Sequence, residues 1–517
     1  MKYPIGIQDF EGLRSDGYVY VDKTALIYQL VTTGKYYFLS RPRRFGKSLL
    51  LSTLEAYFKG KRQLFQGLEM ERLEKQWITY PVVHLDLNTG KYATEDALYH
   101  VLDDFLHKLE DVYGSYPSEV TLELRFKGLI ERIAKKHGQR VVVLVDEYDK
   151  PLLQNFSRPD VQDRMRDTLK AFYSVLKTQD RFLKFAFFTG VTKFGKISVF
   201  SDLNNLVDLS MDNRFETICG ITAEEMRHYF HEGIMQLADY YHVSVDEISE
   251  RLRKRYDGYH FVENSEGVYN PYSLLSTLSR GRFGSYWFET GTPTFLVKLL
   301  QAEQFCLPDL TRQEVSADFI NSIDSVGKSP IPIIYQSGYL TIKDYDERFG
   351  IYTLGFPNEE VEEGFTNFLL PYYTHIGEGN SPMFISTFVR CLEKGEPQEF
   401  MRRMETMFSD TDYRIVGDAE LYFQNAFYLI TKLLGFYVTV EKTLSDGRID
   451  MVCKTRNYIY LFEFKYDKTA KEALRQIKEK GYDRPYATDK RKLYIIIPTI
   501  ISTSNMLSST NSTSTRR

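Results

Sequence analysis

Three groups of residues in this sequence have the types and spacing to do chemistry. The first is Gly46-Lys47-Ser48, which closes a short polar loop after the apolar run Tyr36-Tyr37-Phe38-Leu39. Backbone N–H groups at the start of a helix attract anions. A Lys there reaches outer phosphates, and a Ser hydroxyl sits on Mg²⁺. The second group is Asp146-Glu147, at the end of Val141-Val142-Val143-Leu144-Val145. In phosphoryl transfer an Asp so placed holds Mg²⁺ and the next Glu polarises the attacking water. The third is Asp450, Glu463 and Lys465. Two acids hold a divalent metal that polarises a phosphodiester and activates water. An ammonium beside them positions that water or stabilises developing charge.

Each group has to be held by an element. A hydrophobic strand, a tight loop and the helix Leu49–Phe58 present the first. The usual phosphate loop, G-x-x-x-x-G-K-[ST], wants glycine at position 41, where this chain has Arg41. The nucleotide-contacting candidates are Arg43, Arg44, Phe45, Gly46, Lys47 and Ser48. An apolar run such as 141–145 reads as a strand buried on both faces of a parallel sheet. Acids at its C-terminal end lie where open α/β sheets bind ligands. Taken alone, Asp146-Glu147 also fits a solvated turn, and the lysine loop upstream is what argues against that. A further strand, Phe182–Phe188, ends at Thr189-Gly190-Val191-Thr192. Thr189 is the candidate γ-phosphate sensor and Thr192 the reserve, with a plain strand-ending Thr as the alternative. Arg214 is either an arginine finger or an ordinary exposed arginine.

The third group sits on expected strands. The helix Glu420–Leu434 has helical apolar spacing and Gly435 ends it. The strand Tyr437–Glu441, a turn at Ser445-Asp446-Gly447-Arg448, and two further strands, Ile449–Val452 and Tyr458–Lys465, follow. Glu463 and Lys465 are two apart and share one face; Phe462 and Phe464 share the other. Asp450 lies on the neighbouring strand. Burying these charges would otherwise be costly. The alternative is a surface hairpin with a Glu–Lys pair.

Elsewhere the chain is less informative. Tyr18–Val21 reads as a short strand, and Asp22-Lys23-Thr24 as a cap for the helix Ala25–Thr32 or as part of a nucleotide pocket. Helices are expected near Glu95–Tyr113 and Ser118–His137. Thr222-Ala223-Glu224-Glu225 is a capping-box start. Arg251–Tyr259 is a basic helix end followed by a turn, or a nucleic-acid patch. Trp287–Pro293 reads as loop punctuation.

Composition sets limits. At 517 residues the chain holds more than one domain. The net charge of −4 gives no global pull toward nucleic acid. Residues 441–500 nevertheless carry 14 Lys/Arg against 9 Asp/Glu, a basic surface suited to a phosphate backbone. Cys219, Cys306, Cys391 and Cys453 are far apart, which disfavours a zinc site or a disulfide framework and fits a reducing cytoplasm. There is no signal-peptide pattern and no run of 18 apolar residues. No membrane association is expected. Residues 501–517 are Ser/Thr/Asn-rich and expected to be disordered.

The stretches YVDKT, RPRRFGKS, VVVLVDEYDKP and FTGVTKFGK resemble the AAA-ATPase-like domain of a bacterial two-part protein family, over about residues 3–230. In that family Arg-Pro-Arg-Arg-Phe replaces the glycine-rich opening, so the resemblance accounts for Arg41. It implies ATP binding with Mg²⁺. The order Asp450, a 12-residue spacer, Glu463, one residue and Lys465 resembles the PD-(D/E)xK nuclease-like domain that follows the ATPase in the same family, with Ile449 in place of the leading Pro. This implies a metal site at Asp450 and Glu463 for Mg²⁺ or Mn²⁺, and support from Gln476 and Tyr482. Glu420 is either an outer metal ligand or part of a solvated face.

The expected fold is α/β: a P-loop NTPase parallel sheet with a helical lid, plus a smaller α/β PD-(D/E)xK nuclease-like domain. Residues 1–225 would be the ATPase domain, 226–400 the lid and linking region, and 410–500 the nuclease-like domain. The expected function is an ATP-binding module coupled to a metal-dependent DNA nuclease, by association in defence or mobile-element control. A homo-oligomer is compatible with it. The alternative is a nucleotide-gated switch that binds nucleic acid or protein without cutting.

Overall fold

The computed structural model describes residues 1–94, 96–193, 196–290, 294–311, 313–321, 329–374, 381–409, 419–442, 451–462, 465–466, 486, 488–501 and 506–512. By backbone packing the chain forms two units. One comprises residues 1–299 with 311–361, the other 300–310 with 362–517.

In the first unit, the apolar runs become β1 (Tyr36–Ser40) and β3 (Val141–Asp146), buried along their whole length. They join β2 (Val82–Asp86), β4 (Leu183–Gly190) and β5 (Val207–Asp208) in a parallel sheet of order β2-β3-β4-β1-β5. Strands this apolar have to be covered on both faces, and parallel pairing needs crossover connections that supply the cover. The helices Lys47–Phe58, Leu122–His137 and Pro159–Thr178 lie between the strands in sequence. The order matters for chemistry. β4 lies between β1 and β3, with Leu39 opposite Thr189 and Val145 opposite Phe188. The phosphate-loop strand, the acid strand and the Thr189 strand therefore end side by side.

A helical layer follows. The helix Ala223–Tyr241 opens on a complete capping box, with Thr222 Oγ1 accepting from Glu225 N and the Glu225 carboxylate accepting from Thr222 N. It packs with Val245–Tyr256 and Pro271–Arg280 around Phe230, Leu237, Leu252 and Leu274. A small antiparallel sheet, β6 (Gln313–Ser316), β8 (Ile351–Gly355) and β7 (Thr341–Asp346), completes the unit.

One expectation changes here, and the run at 251–259 takes the first of its two stated readings. Tyr18–Val21 joins no sheet; Tyr18 N donates back to Leu13 O and Val19 N to Lys2 O, neither in a ladder. The basic run at 251–255 is a helix end whose charges are answered locally. Arg251 pairs with Glu247 and Arg253 with Glu250, and Arg255 donates to Ser285 Oγ.

In the second unit, the helix Ala419–Leu434 precedes β9 (Thr439–Lys442), β10 (Met451–Lys454), β11 (Tyr458–Phe462), β12 (Lys465–Tyr466), β13 (Lys492–Ile501) and β14 (Met506–Ser512). β10 is antiparallel to β9 and β11; β11 and β12 run parallel along β13. Tyr460 stacks on Tyr494 at 5.3 Å and donates to Leu392 O, which ties the sheet to the helix Ser381–Lys394. Part of the tail expected to be disordered is instead β14, antiparallel to β13 from Ile495–Ser512 to Ile501–Met506. β13 otherwise offers a bare edge of amides and carbonyls. Ser and Thr are acceptable partners there, because pairing uses backbone groups.

Candidate functional site

The loop after β1 is built without early glycines, so other groups fix its shape. Arg41 is buried. Its guanidinium donates to Ser40 O at 3.0 Å and Ser210 O at 2.8 Å, and lies 4.0 Å over the Phe261 ring. Pro42 packs against Gly338 so closely that a Cβ there would sit 2.6 Å from the proline ring. Phe45 is buried 4.8 Å from Tyr259. Arg43 hydrogen-bonds Tyr339, and Arg44 lies 5.0 Å over Tyr272. Arg44 and Gly46 adopt φ of +67° and +92°. At Gly46 the left-handed backbone explains the glycine; at Arg44 it is strain of the kind that collects at ligand sites.

Gly46 caps the helix Lys47–Phe58. Lys47 is 6% exposed and donates to Arg41 O at 2.9 Å and Pro42 O at 3.1 Å. It makes no ion pair among the described residues. A buried ammonium that makes no ion pair, at a helix N-terminus, has the chemistry to attract an anion.

The acids come from β3. Asp146 Oδ1 accepts from Glu147 N at 3.0 Å and from Thr189 Oγ1 at 2.5 Å. Thr189, on β4, is fully buried. Glu147 has φ +52° and lines a cavity of about 700 Å³ together with Arg43 to Ser48. Burial raises its carboxyl above the ordinary value; nearby Lys47 opposes the shift. Asn88 and Lys150 also line the cavity, and Lys150 donates to Asn88 O at 2.6 Å. Ser48 and Asp146 offer the hard oxygen donors Mg²⁺ prefers. Among the described residues no cluster of three or more His, Cys, Asp or Glu is placed to hold a metal.

Other candidates fall elsewhere. Arg214 is exposed and bound to Asp212 at 2.6 Å. Thr192 is buried, and its N and Oγ1 donate to buried Asp149. Asp22 caps two segments at once, accepting from Thr24 N and Glu69 N at 2.8 Å each, while its neighbours Val21 and Lys23 line the cavity. The segment is thus both a cap and part of the cavity wall.

In the second unit, Asp450, Glu463, Gln476 and Tyr482 lie outside the described residues. Lys465 opens β12, opposite Thr499 of β13. Glu420 lies in the first turn of the helix Ala419–Leu434. What is described is the frame around them. Met451, which follows Asp450 in the chain, is the register partner of Phe462, which precedes Glu463.

Residues 4–200 match the family described as "Predicted AAA-ATPase", and residues 418–509 match the PD-(D/E)XK nuclease superfamily. A protein of Azotobacter chroococcum mcd 1, described as an uncharacterized protein in the vnfD 5′ region, is 37% identical over 508 residues. The match covers 96% of this chain and 95% of that one. This chain belongs to the AAA-ATPase-like family with a C-terminal PD-(D/E)XK nuclease-superfamily domain. A looser likeness, to the ORC2 protein of Aeropyrum pernix in its ADPNP–ADP complexes, has a TM-score of 0.26 and 10% identity. It covers 65% of this chain and 87% of that one. Among the described residues no helix is long and apolar enough to cross a membrane.

In this AAA-ATPase-like chain three further residues bear on the site, none of them assigned an individual role in it from the sequence. Asp149, within VDEYDKP, accepts from Val191 N, Thr192 N and Thr192 Oγ1, binding the end of β3 to the loop after β4. Lys23 lines the cavity and pairs with Glu225 of the capping box at 2.6 Å. Glu360 is fully buried behind the loop and accepts from Ser273 Oγ and Trp287 N at 2.9 Å each. Burial pushes its carboxyl up to about 7. Between its ordinary 4.5 and about 7 the folded chain binds more protons here than the unfolded one, so stability falls as pH rises through that window. Glu360→Gln keeps the acceptor and removes the charge. It is expected to stabilise the protein at pH 8 by on the order of 3 kcal/mol or less, and to do little at pH 4.5. Denaturant unfolding at the two pH values measures this.

Proposed function

We propose that the first unit binds and hydrolyses ATP and that this controls a metal-dependent nuclease in the C-terminal domain, with DNA as substrate. The observation that carries the reading is the convergence of Lys47 and Ser48 from the end of β1 with Glu147 from the end of β3 on one cavity, and Asp146 joined there to Thr189 of β4. Mg²⁺, when bound, would neutralise charge on the transferring phosphate. In this reading Lys47 and the loop N–H groups hold the outer phosphates. Ser48 and Asp146 supply metal donors, and Thr189 fixes the Asp146 carboxylate. Glu147 takes the proton of the attacking water.

In the nuclease-like domain we assign the metal to Asp450 and Glu463, and water positioning or charge stabilisation to Lys465. Gln476, Tyr482 and Glu420 are assigned supporting roles. The family motif and the register of β10 against β11 support this assignment. A cytoplasmic setting, in defence or mobile-element control, fits it.

Two measurements test the proposal. ATP binding by the wild type is expected to be lost in Lys47→Ala; equal binding by both refutes the nucleotide site. Plasmid cleavage with Mg²⁺ or Mn²⁺ is expected for the wild type and not for Lys465→Ala. DNA binding without cleavage under every nucleotide condition would refute the nuclease and leave a binding switch.

A further inference from the structure

The phosphate loop raises a physical question that its sequence does not answer. A loop that cradles phosphate must turn several backbone N–H groups toward one point, which glycines make easy. Here Arg41-Pro42-Arg43-Arg44-Phe45 precedes the single Gly46. Arg41, Pro42 and Phe45 are each anchored through side-chain packing. The peptide between Arg43 and Arg44 is anchored differently. The indole Nε1–H of Trp287, 244 residues away, donates to Arg43 O at 2.9 Å.

We propose that Trp287 is a positioning residue for the phosphate loop, its indole N–H holding the Arg43–Arg44 peptide in the orientation that binds phosphate. The inference rests on the nucleotide-binding reading above. A trans peptide is planar, with its C=O and N–H pointing in opposite directions. Drawing the Arg43 carbonyl toward Trp287 turns the Arg44 N–H to the other side of the loop. Arg43 and Arg44 line the cavity and Trp287 does not, and in the proposed arrangement that other side is the one that faces the cavity. The left-handed φ of Arg44 is the strained conformation that such a hold sustains.

Trp287 is itself held firmly enough to serve. It is 3% exposed, its backbone N donates to Glu360, and its ring lies 5.3 Å from Tyr339 and 6.5 Å from Tyr259. Both neighbours also touch the loop, Tyr339 through Arg43 and Tyr259 through Phe45. The phosphate loop is thus shaped by the region after residue 256.

A buried tryptophan usually finds some acceptor, so the test has to separate positioning from packing. Trp287→Phe keeps an aromatic ring and removes the donor. The expected result is ATP affinity reduced about tenfold, adenosine affinity unchanged, and a melting temperature close to wild type. Equal loss for ATP and adenosine would indicate general damage to the cavity and overturn the proposal, as would unchanged ATP affinity. Should Trp287→Phe fail to fold, the intact indole reports instead. The chain has two tryptophans, so Trp77→Phe leaves Trp287 as the sole tryptophan, excited selectively over tyrosine. ATP is then expected to shift its fluorescence and adenosine to leave it alone; no shift on saturation with ATP overturns the proposal. If the wild type binds no ATP, the nucleotide reading itself falls, and the inference with it.

Discussion

Glu147→Gln is expected to lower ATP turnover at least about a hundredfold while leaving ATP binding in place. Glu147 stands at the end of β3 with φ +52°, its side chain 24% exposed at the cavity wall. Burial is the largest influence on its carboxyl and raises it, so it is a better proton acceptor than an ordinary surface glutamate. Gln matches the shape and cannot take a proton from water. A positioned general base contributes typically 10²–10⁴-fold, which sets the expected size of the loss. Binding survives because Lys47, its loop carbonyls and the helix N-terminus are untouched. Removing a negative charge near the phosphates favours affinity further. Wild-type turnover should rise with pH as Glu147 ionises, and the variant's residual rate should not follow that rise. Phosphate release and equilibrium binding measure the two effects. Undiminished turnover would remove Glu147 from the chemistry.

Arg41→Gly is expected to destabilise the first unit by about 3 kcal/mol or more, although it restores the glycine of an ordinary phosphate loop. Two effects oppose each other. Burial pushes the Arg41 guanidinium below its usual pKa, so holding the charge inside costs energy, and glycine removes that cost. Glycine also strands Ser40 O and Ser210 O, which accept from Arg41 Nη1. Each buried carbonyl left without a donor costs roughly 1–3 kcal/mol. The side chain's volume becomes a cavity beside Phe261, and large-to-small core changes cost about 2–5 kcal/mol. The losses outweigh the relief. Arg41→Met, which keeps much of the volume, should fall between glycine and wild type. Denaturant unfolding gives all three values. A glycine variant as stable as wild type would show that Arg41 does not fasten the loop.

Both predictions concern residues that the sequence exposes unequally. Glu147 stands out because Asp-Glu follows five apolar residues. Arg41 departs from the ordinary loop motif; the family resemblance accounts for its presence, and Ser210 and Phe261 around it account for what it holds. The helix starting at Ala223 was readable for the same reason as β3. A capping box is complete within four residues, and a buried strand announces itself by hydrophobic run. Short-range devices of this kind depend on neighbours in the chain, so they survive translation into sequence pattern.

β14 was unreadable because its composition suits solvent. What makes it a strand is the free edge of β13, an opportunity that exists only once the sheet is assembled. The clasp of Asp149 on Thr192 crosses 43 residues, and the hydrogen bond from Trp287 to Arg43 crosses 244. Neither residue type nor spacing encodes such pairs, since packing alone brings them together.

For this protein the amino-acid sequence by itself determined the chemical groups: Lys47 and Ser48, Asp146 and Glu147, and the motif of Asp450, Glu463 and Lys465. It determined the local elements that carry the first two pairs as well, β1 with the helix Lys47–Phe58 and β3, because helix starts and apolar runs act over a few residues. The tertiary structure decided how the phosphate loop is held without its usual glycines. Backbone freedom is local to a residue. Restraint can come from any side chain that folding brings near, and here it comes from Ser210, Tyr259, Phe261, Trp287 and Gly338.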